Sequence, residues 1–143
     1  MPEPTRPPRE RDAGTAPPAS TTDGGGRTIL ICEDEKSLRE LVRAVLGPQY
    51  RYLEAVDGAE ALELARTAEP DLVVLDLMLP RVSGFDVLRA LRDDPSFGDV
   101  PVVVLTAWAH AELEAEAHGA DRFVSKPFEP GELAAVVKEL LGP

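Results

Sequence analysis

The sequence predicts a doubly wound α/β domain: five parallel strands in one sheet, with five helices covering both of its faces. Three observations carry this expectation. Short, β-branched apolar runs alternate along the chain with longer stretches of helical periodicity. Glycine, proline or aspartate punctuates most of the boundaries, and most of the apolar runs stop abruptly at a polar or charged side chain.

The clearest run is Leu72-Val73-Val74-Leu75, set between Pro70-Asp71 and Asp76. It is too short for a helix and reads as a strand buried on both faces. An ionisable group where such a strand leaves the core needs a partner charge or a metal. Ligands of open α/β sheets bind outside the carboxyl ends of the strands. Asp76 is therefore the residue whose partners the rest of the chain must supply.

The remaining elements follow in order. Residues 1–27 hold six of the 14 prolines and a Gly24-Gly25-Gly26 run, with four basic and four acidic residues and no aliphatic side chain larger than alanine apart from Met1. Such a segment cannot bury enough surface to offset its ordering entropy, so a disordered tail is expected there and a folded domain over residues 28–143. Thr28 to Cys32 is a short buried strand ending in Glu33-Asp34-Glu35. Leu38, Leu41, Val42, Val45 and Leu46 form the apolar stripe of a first helix, stopped by Gly47-Pro48. Asp34 or Glu35 can also cap that helix. Arg51 to Val56 is a second strand closed by an Asp57-Gly58 turn, and Ala59 to Ala68 a second helix. After the Asp76 strand, a third helix runs from about Gly84 to Asp93 with Phe85, Leu88 and Leu91 inward. Pro101 to Thr106 is the fourth strand, Ala109 to His118 a helix capped by Gly119, and Asp121 to Ser125 the fifth strand. Leu133, Val136, Val137, Leu140 and Leu141 mark a final helix.

Composition narrows the function. Lys plus Arg is 15 against 26 Asp plus Glu, a net charge of −11. That balance argues against direct nucleic-acid binding and favours basic or divalent-cation partners. No apolar run approaches the ~20 residues that span a bilayer, and the N-terminus lacks a signal-peptide core. A single cysteine, Cys32, suits a reducing cytoplasm and sits in a buried strand as ordinary core. His110 and His118 have no metal-ligating company in the sequence, and Glu112, Glu114 and Glu116 read as a solvated helix face.

With the first and third strands adjacent, the strand ends converge at the topological switch point. They bring Glu33 and Asp34 from the first strand, Asp76 from the third, Thr106 from the fourth and Lys126 from the fifth. Three carboxylates and a lysine make a hard-cation site of the kind Mg²⁺ favours. Without a cation, repulsion would raise the carboxylate pKa values.

These residues bring a family into view. From about Arg27 to Leu141 the chain resembles the receiver domain of two-component response regulators. The resemblance rests on Glu33-Asp34, Asp76 with Pro80 and Gly84, Thr106-Ala107, Gly119-Ala120-Asp121 and Lys126-Pro127-Phe128, in order and at the right spacing. Phe123 stands where the family more often has tyrosine, and Trp108 is bulky for its position. The resemblance implies a flavodoxin-like sheet of strand order 2-1-3-4-5. It implies that Asp76 accepts a phosphoryl group as a carboxylate nucleophile. It further implies that Asp34, Asp76 and the main-chain carbonyl of Met78 bind Mg²⁺, with Glu33 acting through a water. Lys126 would pair with a phosphoryl oxygen, from a peptide bond to Pro127 that is cis in the family, and the Thr106 hydroxyl would donate to another. Movement of Thr106 would open a space for the Phe123 ring. That would repack the face of the fourth helix, fifth strand and fifth helix, where such domains dock partners. Met78 and Trp108, flanking the site, would restrict water and slow phosphate loss.

The partners so implied are a sensor histidine kinase or phosphotransfer protein and a downstream protein, with no membrane contact; the resemblance leaves open a homodimer formed on phosphorylation. Since the chain stops after its last helix, a single-domain regulator or phosphorelay intermediate is expected, or else a receiver cut from a longer protein, and no enzyme beyond self-phosphotransfer and autodephosphorylation. Two alternatives stand beside it. A phosphatase or phosphotransferase with an aspartyl-phosphate intermediate is disfavoured, because Met78 occupies the position where such phosphohydrolases carry a general acid. The other is a receiver that binds partners without phosphorylation.

Overall fold

The computed structural model describes residues 26–96, 98–107 and 119–142. Among the described residues nine elements follow in order: β1 (Thr28–Cys32), α1 (Lys36–Leu46), β2 (Arg51–Ala55), α2 (Gly58–Ala68), β3 (Leu72–Leu75), α3 (Gly84–Asp93), β4 (Val102–Thr106), β5 (Arg122–Ser125) and α4 (Pro130–Leu141). The strands form one parallel sheet in the order β2-β1-β3-β4-β5, as expected. The chain therefore reverses its winding direction beside β1, and the ends of β1 and β3 lie next to each other.

Strand alternation sorts the apolar residues onto two faces. Leu30, Val73, Leu75, Val102 and Val104 pack with Ala61 and Ala65 of α2 and with Val87, Leu88 and Leu91 of α3. Ile29, Ile31, Leu72, Val74, Val103, Leu105 and Val124 pack with Val42 and Leu46 of α1 and with Leu133, Val137 and Leu141 of α4. Each fully buried aliphatic side chain contributes about 1.5–3 kcal/mol, so both faces are needed to hold the sheet.

The structure refines several expectations. Four helices lie among the described residues, and the final expected helix is α4. The expected helix over 109–118, with its two histidines and its glutamates, lies outside the described residues, as does the expected tail up to residue 25. Leu41 belongs to the predicted stripe of α1 yet is 46% exposed; Val42 and Leu46 bury that face, with Leu38 and Val45 at its margins. The buried stripe is narrower than the apolar one: only Val42 and Leu46 of α1 join the core that α4 shares on this face of the sheet.

Asp57-Gly58 starts α2 instead of making a plain turn. The Asp57 carboxylate accepts from the Glu60 N–H at 2.8 Å, and the Glu60 carboxylate accepts from the Val56 N–H at 2.9 Å. The first bond occupies a donor that the helix leaves unpaired, and the second ties the residue before the N-cap to the first turn. Gly58 follows because a Cβ there would lie 1.9 Å from the Val82 carbonyl oxygen.

Candidate functional site

Glu33, Asp34, Asp76 and Lys126 meet at the carboxyl edge of the sheet. β1 delivers the acidic pair: the Glu33 N–H donates to the Ala55 carbonyl at 3.0 Å, extending the β1–β2 ladder by one residue. β3 delivers Asp76, whose N–H donates to the Cys32 carbonyl at 3.0 Å. Behind it, Gly84 opens α3 against the Asp76-Leu77 backbone, where a Cβ would lie 2.4 Å from the Asp76 carbonyl oxygen. β5 delivers Lys126, whose N–H donates to the Thr106 carbonyl at 2.9 Å. The Lys126–Pro127 peptide bond is cis.

The Asp76 carboxylate is held at both oxygens. Its Oδ1 accepts from the Met78 N–H at 2.9 Å and its Oδ2 from Lys126 Nζ at 2.9 Å. Lys126 Nζ also donates to Glu33 Oε1 at 3.0 Å, while Glu33 Oε2 accepts from the Glu35 N–H at 3.1 Å. Only 3% of Glu33 and 4% of Asp76 is exposed, so the ammonium is what makes two nearly buried carboxylates tolerable. Burial pushes the Glu33 carboxyl up to about 7; the Lys126 hydrogen bond opposes that rise and neighbouring Asp76 adds to it. The expected rise is therefore present at Glu33, but desolvation is its main cause and repulsion a lesser one. Burial also works against the Lys126 ammonium, yet its bonds to Asp76 and Glu33 outweigh this and raise its pKa.

One carboxylate oxygen from each of Glu33, Asp34 and Asp76 lies within 4.8 Å of the others, and Asp34 is exposed. Three hard oxygen donors, with one open to solvent, fit a divalent cation that keeps some of its waters. Such a cation would offset acidic charge that a single ammonium only partly balances.

Thr106 ends β4 and is buried, with Ser125 beside it in register. Phe123 is half-buried next to Val104 and packs on the α2–α3 side of the sheet. Strand alternation puts Thr106 on that same side. Met78 turns its side chain outward, 63% exposed, and its expected neighbour Trp108 lies outside the described residues. Sequence reasoning missed Arg39 and Glu54. The Arg39 guanidinium donates to the Glu33 carbonyl at 2.9 Å and to Glu54 Oε1 at 2.7 Å. Of the two candidate caps for α1, Glu35 occupies the N-cap position, without a side-chain cap bond.

An acidic, lysine-bridged cluster at the switch point of a five-stranded parallel sheet of order 2-1-3-4-5 defines a flavodoxin-like α/β domain with a candidate cation site. The comparisons with known proteins name the family within it. The family model for the response regulator receiver domain matches residues 29–138, and the chain belongs to that family. It is 44% identical over 117 residues to the DNA-binding response regulator MtrA of Mycolicibacterium smegmatis, covering 79% of this chain and 50% of that protein. It is 36% identical over 115 residues to hybrid signal transduction histidine kinase D of Dictyostelium discoideum, covering 79% of this chain and 7% of that protein. The chain spans about half the length of most of the curated relatives it matches. Among solved structures, chemotaxis response regulator CheY4 of Vibrio cholerae aligns with a TM-score of 0.75 at 30% identity, covering 81% of this chain and 99% of that one. The receiver domain of Francisella response regulator 1452 aligns at 0.74 and 29% identity, covering 81% and 97%. The chain is thus a receiver domain of two-component signalling, homologous to response regulators and to receiver domains of histidine kinases. No helix among the described residues is long and apolar enough to cross a membrane.

Proposed function

We propose that residues 28–143 act as a phosphorylation-dependent switch with Asp76 as the phosphoacceptor. The observation that carries this reading is the Lys126 ammonium, 2.9 Å from Asp76 Oδ2, beside an acidic cluster with cation-binding spacing. An Asp76 carboxylate oxygen attacks the phosphorus of a donor phosphohistidine. The P–N bond breaks, its electron pair leaves with the imidazole, and an aspartyl phosphate forms. The Met78 N–H, bonded to Oδ1, orients the attacking group. Lys126 exchanges its carboxylate partner for a phosphoryl oxygen, as a point charge on a flexible stem can. The Thr106 hydroxyl donates to another phosphoryl oxygen. Asp34, Asp76 and the Met78 carbonyl would hold Mg²⁺, with Glu33 acting through a water; the ion supplies charge neutralisation at the phosphoryl oxygens.

The output is an altered partner surface. Thr106 and Phe123 share one side of the sheet, so displacement of Thr106 can be answered by the Phe123 ring. The change is read on the face of β5, α4 and the segment joining β4 to β5. The donor is a sensor histidine kinase or phosphotransfer protein, and the receiver of the signal a downstream protein. Phosphate shifts an existing equilibrium by no more than its differential interaction with the two states.

Intact-protein mass after incubation with acetyl phosphate and Mg²⁺ tests this reading. One added phosphoryl group is expected in the wild type and none in Asp76→Asn or without the metal. A folded wild type with no adduct, and no response to beryllofluoride, would refute it.

A further inference from the structure

We propose that Arg39, held by Glu54, is a positioning residue for the cation site. The inference rests on the reading that Glu33, Asp34 and Asp76 hold a divalent ion. Arg39 lies in the first turns of α1 with only 12% of its side chain exposed. Its fork spans two partners: the Glu54 carboxylate at 2.7 Å and the main-chain carbonyl of Glu33 at 2.9 Å. Glu54 is itself fixed on β2, with Arg43 Nη1 on its second oxygen at 2.6 Å.

The consequence falls on the Glu33 peptide. Its N–H is bonded to Ala55 of β2, and its carbonyl to Arg39. Just past the end of β1, where no ladder partner among the described residues holds the carbonyl, the guanidinium takes that role. The Glu33 and Asp34 side chains leave from this clamped segment toward Asp76, within 4.8 Å of one another. Arg39 touches no ligating oxygen; it fixes the backbone from which two of the three acids project.

Electrostatics and positioning predict opposite signs. Removing a cation near three carboxylates should, by Coulomb attraction alone, tighten Mg²⁺ binding. Losing the group that orients the ligands should weaken it, and such supporting partners typically contribute ten- to hundredfold in metal affinity.

The test is the Mg²⁺ affinity of the full chain by calorimetry, with ¹H–¹⁵N spectra reporting folding and the Glu33 and Asp34 amides. Arg39→Gln is expected to bind Mg²⁺ about tenfold more weakly. Arg39→Lys, which retains the charge but cannot make both bonds with one fork, should fall between. Because Arg39→Lys keeps the charge, it isolates positioning and carries the test if Arg39→Gln does not fold; Glu54→Gln removes a negative charge, which weakens cation binding by Coulomb attraction alone, and so does not separate the two effects. Arg122→Gln, which removes an equal charge paired with Glu139 on the surface, should leave the affinity unchanged. Folded Arg39→Gln and Arg39→Lys proteins with wild-type or tighter Mg²⁺ binding would overturn the inference alone. A wild type that binds no Mg²⁺, or an Asp76→Asn that binds it equally well, would instead overturn the cation-site reading and this inference with it.

Discussion

Lys126 Nζ donates to Asp76 Oδ2 at 2.9 Å across fifty positions of the chain. The same nitrogen reaches Glu33 Oε1 at 3.0 Å, so one ammonium serves two nearly buried carboxylates contributed by different strands. Stripping the partner from a buried charge costs about 3 kcal/mol or more. Lys126→Met should therefore lower the unfolding free energy by about 3 kcal/mol in metal-free urea titrations. Millimolar Mg²⁺ should restore a larger part of the loss than it adds to the wild type, because the cation then supplies the missing positive charge. Equal shifts in both proteins would argue against a shared acidic site.

Gly84 sets how closely α3 can approach Asp76. A Cβ at this position would lie 2.4 Å from both the Asp76 carbonyl oxygen and Leu77 Cα, backbone atoms that cannot rotate away. Gly84→Ala should cost about 2–3 kcal/mol, as overpacking does. It should also slow phosphorylation by acetyl phosphate, since the shift falls on the acceptor's own peptide. Gly131→Ala meets nothing within 4 Å, and lies in α4. It should stabilise the fold by about 0.5 kcal/mol with unchanged phosphorylation. Thermal melts and the phosphorylation rate distinguish the two glycines.

Glu54 predicts how acid acts on the domain. Burial alone would raise its carboxyl pKa, but the hydrogen bonds from Arg39 and Arg43 outweigh it, and the folded-state value falls below the ordinary 4.5. A depressed carboxylate contributes stability above its unfolded pKa and loses it as pH falls through the folded value. Wild type should therefore be more stable than Glu54→Gln at pH 7. The difference should shrink progressively below about pH 4.5. Urea unfolding of both proteins from pH 7 to pH 3 checks the sign; a gap that widens on acidification would contradict it.

Arg92 ties the far edge of the sheet together. Its guanidinium donates to the carbonyls of Gly119, Gly98 and Val100 at 2.8, 3.0 and 2.7 Å and to the Asp121 carboxylate at 2.7 Å. That carboxylate also accepts from the Val102 N–H at 2.8 Å. Arg92→Ala should cost about 3 kcal/mol, since bonds to a charged group contribute more than neutral ones. Amide exchange should accelerate at residues 98–100, at Val102 and at residues 119–121, while acetyl phosphate still labels Asp76. Arg92→Lys should rescue little, because an ammonium cannot reproduce the planar fork.

Most of the strands and helices are legible in the sequence because their signals are local. Four apolar residues between turn signals are too few for a helix, so Leu72 to Leu75 reads as a strand without reference to the rest of the chain. The acidic pair, Asp76 and Lys126 can be named from their positions at strand ends, and the structure brings all four together. The exposure of Leu41 is not legible, because helical periodicity defines an apolar stripe but not how much of it the packed core covers. Asp57-Gly58 reads as a turn because a capped helix start and a turn use the same residue types.

Periodicity and strand-end polarity are properties of contiguous residues. They suffice for the α/β class, for strand boundaries to within a residue or two, and for the side chains that stand at the carboxyl edge. Three further relationships emerge only from the folded chain: Arg39 and Glu54 brace the Glu33 peptide, Gly84 presses on Asp76, and one lysine is shared by two acids. Each joins residues on different elements, and such a contact depends on how helices and strands pack, a distance that no local pattern encodes.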